Sequence, residues 1–68
     1  MPFDASVLIS DSRLAFLQGQ YEVSLILAKE VLQKEPKNSE AHQCAGNAYM
    51  SKADYESAIN HYKKALEN

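Results

Sequence analysis

The feature that most constrains this chain is its agreement with itself at a shift of 34 residues. Tyr21-Glu22 then falls on Tyr55-Glu56, Lys29 on Lys63, Leu25 on Ile59 and Leu32 on Leu66. Ser24 falls on Ala58 and Gly19 on Ala53, so small residues and the chain break also coincide. A period of this length is the mark of stacked supersecondary units, none of which buries its apolar face alone. A chain of 68 residues has room for two such units and no further domain.

Within each unit the apolar spacing is helical. Val7, Leu8, Leu14, Ala15 and Leu17 recur at three to four residues, Gln18-Gly19-Gln20 interrupts, and Tyr21, Leu25, Ala28, Val31 and Leu32 resume the pattern. Asp4 is placed to cap the first helix, with Phe3 able to staple onto Leu8, and Gly19 supplies the break. The second helix should stop near Lys34, because Glu35 precedes Pro36 and is biased away from helical angles. The second half repeats this plan. Asn38 or Ser39 caps a helix carrying Ala41, Ala45, Ala48 and Tyr49, and Asp54 caps another carrying Tyr55, Ala58, Ile59, Tyr62, Ala65 and Leu66. No segment alternates with period two, so the expectation is an all-α fold of four helices in two stacked helix-turn-helix hairpins, about 5–38 and 39–68.

Composition closes off several alternatives. Cys44 is the lone cysteine, which excludes an intrachain disulfide and fits a reducing compartment. The N-terminal segment lacks the basic and long apolar regions of a signal peptide, and no apolar stretch approaches the roughly twenty residues of a membrane span. The chain therefore reads as intracellular, with the cytoplasm as the expected compartment. Seven basic residues interleave with nine acidic ones, and no basic stripe accumulates to neutralise a run of phosphates, which argues against nucleic acid as a partner.

Over essentially its whole length the chain resembles two copies of the tetratricopeptide repeat, the second, about 39–68, the more regular. His42, Ala45, Gly46, Tyr49, Ala58 and Tyr62 take the places of that family's pattern, Trp-x2-Leu-Gly-x2-Tyr followed by Ala-x3-Phe, with Ala65 as a further small residue. In the first unit Leu8, Asp11, Ser12, Ala15, Ser24 and Ala28 stand at the same places, and Pro36 restores the closing proline. Asp11 in place of a large apolar residue and Ala28 in place of an aromatic are departures. The resemblance implies hairpins stacked with a right-handed offset, small residues where helices cross closely, and Tyr49, Tyr55 and Tyr62 filling the space between a hairpin and its neighbour.

Little in the chain points to catalysis. His42 and Cys44 lie two apart on one helix and diverge by about 200°, so one continuous helix cannot aim both at a metal. His42 occupies a packing position and reads as a packed histidine, and Cys44 as a small buried hydrophobe. There is no phosphate-cradling glycine loop, and neither a cofactor nor a metal is expected.

What the resemblance implies instead is recognition of a protein helix or peptide in a groove lined by the first helix of each hairpin. Carried onto this chain, the groove comprises Ile9, Arg13 and Phe16, flanked by Ser6 and Leu17, and Gln43, Asn47 and Met50, flanked by Glu40 and Ser51. Repeats that clamp the carboxylate tail of heat-shock chaperones place Lys and Asn where Ile9 and Arg13 stand. The missing lysine argues against that subtype.

A second surface emerges on comparing the halves. Val23, Ile26 and Leu27 form an apolar stripe where the second half has Ser57, Asn60 and His61. The last helix offers Ile59, Tyr62 and Leu66 where a further hairpin would dock, and two repeats are fewer than the three or so a stable stack needs. Two readings follow: a piece of a longer array that binds proteins as a scaffold, or a chain that covers these faces by homo-oligomerisation.

Overall fold

In a computed structural model that describes residues 2–67, the chain forms four α-helices: α1 (Ala5–Leu17), α2 (Tyr21–Lys34), α3 (Ser39–Ser51) and α4 (Tyr55–Glu67). No strand occurs among the described residues. The last position of the expected second repeat, Asn68, lies outside them.

Three of the four helices begin where a side chain satisfies open amides, whereas α2, entered from Gln20, has no side-chain cap. Asp4 Oδ1 accepts from the amides of Ser6 and Val7 at 3.0 and 3.3 Å, and Asn38 Oδ1 accepts from Ala41 at 2.9 Å. Asp54 does the same for α4, accepting from the Ser57 amide at 3.3 Å and its hydroxyl at 2.9 Å. Both hairpin turns pass through the left-handed region: Gly19 at φ 78° and, at the position equivalent under the 34-residue shift, Ala53 at φ 62°. Glycine takes that conformation freely, whereas alanine places its Cβ close to a carbonyl oxygen. Helix α2 ends at Lys34, ahead of Pro36 as the sequence requires.

The helices stack as a slab of 34 × 28 × 14 Å. Helix α2 packs on both α1 and α3, α4 packs on α3, and α1 reaches α3 along one edge. The core between the hairpins combines Ile9 of α1, Leu25, Ala28 and Val31 of α2, and Ala41, Cys44, Ala45 and Ala48 of α3. The α3 contribution is small throughout, so α2 approaches closely and its branched side chains lose nearly all contact with water. Each such side chain, fully buried, contributes about 1.5–3 kcal/mol.

The two hairpins close by different devices at matching positions. In the second, Gly46 lets the ring of Tyr62 lie directly on α3. In the first, Ser12 stands at the place of Gly46 and Ser24 at that of Ala58, and both are buried. Ser12 Oγ donates to the Ser24 carbonyl at 2.7 Å, and the two hydroxyls are 3.0 Å apart. Polar groups therefore enter this crossing fully paired.

Part of the helical reading is corrected here. Val7 and Leu14 share the apolar spacing of α1 but are exposed, because the side of α1 turned to the core carries Ile9, Ser12 and Ala15 instead. Tyr55, expected to fill inter-hairpin space, is also exposed, since α4 packs on α3 and Tyr55 sits in its first turn on the opposite side. Tyr49 behaves as expected. Half-buried, it stacks on His61 with centroids 5.5 Å apart and receives the Lys29 ammonium over its ring at 5.6 Å, linking α2, α3 and α4.

Candidate binding face

Along the edge where α1 meets α3, the side chains expected to line a groove separate into three kinds. Ile9 is the correction: it is buried in the core rather than offered to a partner, because the alanines of α3 leave room for it. Arg13 Nη2 and Glu40 Oε2 meet at 3.1 Å, so the two helices are tied by an exposed ion pair running across this edge. Such a pair adds at most about 1 kcal/mol and is readily remade with another carboxylate.

The third kind remains open. Gln43 and Met50 are exposed, as are the flanking Ser6, Leu17 and Ser51. Phe16 is half-buried, its ring 5.3 Å from that of Tyr21 at a tilt of 59°, which leaves part of its apolar surface on the same edge. Asn47 is exposed yet engaged: Tyr62 donates its hydroxyl to Asn47 Oδ1 at 2.5 Å. Nothing in the residue pattern announces this bond, which takes up the oxygen of the carboxamide and leaves its NH2 as the group a partner could accept from.

Beneath the adjoining turn lies a cluster of rings. His42 is buried, with Nε2 at 2.8 Å from the Pro36 carbonyl and Nδ1 at 3.0 Å from Nδ1 of His61. A carbonyl only accepts, so Nε2 of His42 carries a proton and its Nδ1, in the neutral ring, accepts one from His61. His61 has its pKa lowered below 6.5, first by burial and then by the neighbouring His42 and the ammonium groups of Lys64 and Lys29. The cluster joins the inter-hairpin connection to α3 and α4. Among the described residues no group of three or more His, Cys, Asp or Glu is placed to hold a metal.

The second expected surface is divided by the structure. Val23 and Ile26 are exposed and Leu27 is half-buried on α2. On α4, Ile59 and Leu66 are exposed, while Tyr62 is half-buried across Gly46. Sequence reasoning missed Val7 and Leu14; the signal available for them was that both are large where the second half has Ala41 and Ala48.

Residues 39–68 match the family model of the tetratricopeptide repeat. The second hairpin is a tetratricopeptide repeat. The first hairpin has the same build under the 34-residue shift, and the four helices of the chain fit the family's architecture. No curated protein matches the chain. A tetratricopeptide repeat suggests a protein–protein interaction module, and no described helix of the chain is long and apolar enough to cross a membrane.

Proposed function

We propose that the chain is a non-catalytic protein-binding module that holds a helix or short peptide of a partner protein along the α1–α3 edge, as part of a larger assembly. The observation that carries this is the presence along one edge of the half-buried Phe16 and the exposed Met50, with the exposed amides of Gln43 and Asn47 and the Arg13–Glu40 pair. Apolar side chains supply the desolvation that holds a ligand, and amides fix a peptide backbone without demanding a particular sequence. Arg13 adds preference for a carboxylate, since a ligand that offers one can compete for the guanidinium that Glu40 holds at the surface.

A display library of random peptides selected against the chain tests this reading. Selected peptides should bind about tenfold more weakly to a Phe16→Ala/Gln43→Ala variant, in line with the loss of one or two interface anchors. Peptides that bind this variant and the unaltered chain equally well would remove the α1–α3 edge from the account.

A further inference from the structure

The 34-residue shift that relates the two hairpins can be applied once more, outward, at each end of the molecule. Inside the chain, the junction between hairpins is α2 on α3. Leu25, Lys29, Leu32 and Glu22 of α2 meet the face of α3 that carries Ala41, Cys44, Ala45 and Ala48. Shifted forward, the α2 set becomes Ile59, Lys63, Leu66 and Glu56 of α4. Shifted back, the α3 set becomes Val7, Ser10, Asp11 and Leu14 of α1.

Val7, Leu14, Ile59 and Leu66, all exposed, lie at these equivalents. Leu25 is 4% exposed and Ile59 50%; Ala41 is 0% exposed and Val7 52%; Ala48 is 0% exposed and Leu14 54%. The molecule thus carries one half of its own internal junction at each end, with Ile59 and Leu66 apolar on α4, Val7 and Leu14 apolar on α1, and the polar Ser10 and Asp11 between the latter two. We propose that a second copy of this chain covers them. Helix α4 of one copy packs on α1 of the next, head to tail, in the relation that α2 bears to α3.

The polar substitutions at the two ends are complementary. Inside, the Lys29 ammonium lies over the Tyr49 ring. At the ends, Lys63 takes the place of Lys29 and the ring is replaced by Ala15, with Asp11 one turn before it. The carboxylate of Asp11, which stands where α3 has the buried Ala45, therefore meets an incoming ammonium. Likewise Glu22 pairs with Lys52 at 2.6 Å inside, whereas Glu56 meets Gln18, an amide donor, at the ends. Val7 and Leu14, larger than the alanines they replace, hold the helices farther apart than α2 and α3. Helix spacing follows side-chain size in this way. Val23 and Ile26 lie outside the contact, because α2 and α4 do not touch in the internal junction.

A contact between two different faces does not stop at two copies. Sedimentation equilibrium of the chain across a wide concentration range should give a weight-average mass that climbs past that of a dimer. Ile59→Glu blocks one face and Leu14→Glu the other. Both positions are exposed, and circular dichroism should show the helical content of each variant unchanged. Each variant alone should associate about 100-fold more weakly, the scale of placing an unpaired charge in an apolar contact. Mixed in equal amounts, the two variants keep one sound face each and should form a dimer and nothing larger. Lys63→Asp should weaken association of the otherwise unaltered chain, and adding Asp11→Lys in the same chain should restore it. A chain that stays monomeric throughout overturns the proposal. So does a dimer that the mixed variants fail to reproduce, which would mark a symmetric contact instead.

Discussion

The Nδ1 atoms of His42 and His61 lie 3.0 Å apart, and the proton between them belongs to His61. The assignment follows from the other side of the His42 ring, where Nε2 has only the Pro36 carbonyl to meet and must donate. One buried imidazole is thereby fixed in a single tautomer by the loop on one side and by α4 on the other.

This pair makes stability depend on pH. His61 is surrounded by His42 and Tyr49 of α3, Lys29 of α2 and Lys64 of its own helix, and its pKa lies below the ordinary 6.5. The unfolded chain consequently takes up a proton at a higher pH than the folded one. The stabilisation is complete above about pH 6.5 and is lost as pH falls through that value toward the folded pKa. Thermal unfolding should show a lower Tm at pH 5.5 than at pH 7.5. His61→Leu, which installs the residue found at the matching place in the first hairpin, should flatten that difference.

Gly46 is required by contact rather than by backbone angle. A Cβ at this position would sit 2.7 and 2.8 Å from two ring carbons of Tyr62. The ring cannot simply move aside, since its hydroxyl is bonded to Asn47. Gly46→Ala gains up to about 1 kcal/mol of helix propensity but should lose about 1–3 kcal/mol to overpacking, leaving the variant less stable by urea titration. In a Tyr62→Leu background the same change should cost less, since no ring remains to be displaced.

Ser12 and Ser24 form a pair in which either partner alone is a liability. Ser12→Ala leaves the buried Ser24 hydroxyl without its neighbour and should cost about 1–2 kcal/mol. Ser12→Ala/Ser24→Ala replaces both and should recover most of that loss, because the second hairpin closes at the same two positions with Gly46 and Ala58. Denaturant midpoints of the three chains test this directly.

Ala53 is the converse case. It adopts φ 62° in a turn where the first hairpin uses Gly19, and its side chain is exposed. Ala53→Gly removes a steric cost of about 1 kcal/mol without disturbing any packing, and should raise the denaturant midpoint. An unchanged or lower midpoint would mean that the entropy of glycine in the unfolded chain offsets the relief.

Much of this architecture was legible because it rests on local chemistry. Asp4, Asn38 and Asp54 cap helices through bonds to residues two or three positions away, and Gly19 and Pro36 act on their own backbone and its nearest neighbours. The buried state of His42 was legible for a related reason, since its place in the repeat is a packing place in any hairpin of this type. What escaped the sequence depends on the size of residues across a junction. Ile9 looked free to face a partner until the alanines of α3 gave it room to enter the core. Val7 and Leu14 recur at helical apolar spacing, yet the chain builds its core from the other side of α1. Asn47 read as a free carboxamide because its partner, Tyr62, is 15 residues away on another helix.

Cys44 sits on α3 in the layer that separates the hairpins, buried against α2. It is the lone thiol of the chain, so a thiol reagent has a single site to reach, and that site opens only when the hairpins part or α3 unfolds. The rate of its modification is then a clock for hairpin separation, started by local opening and slowed by anything that clasps the two units together.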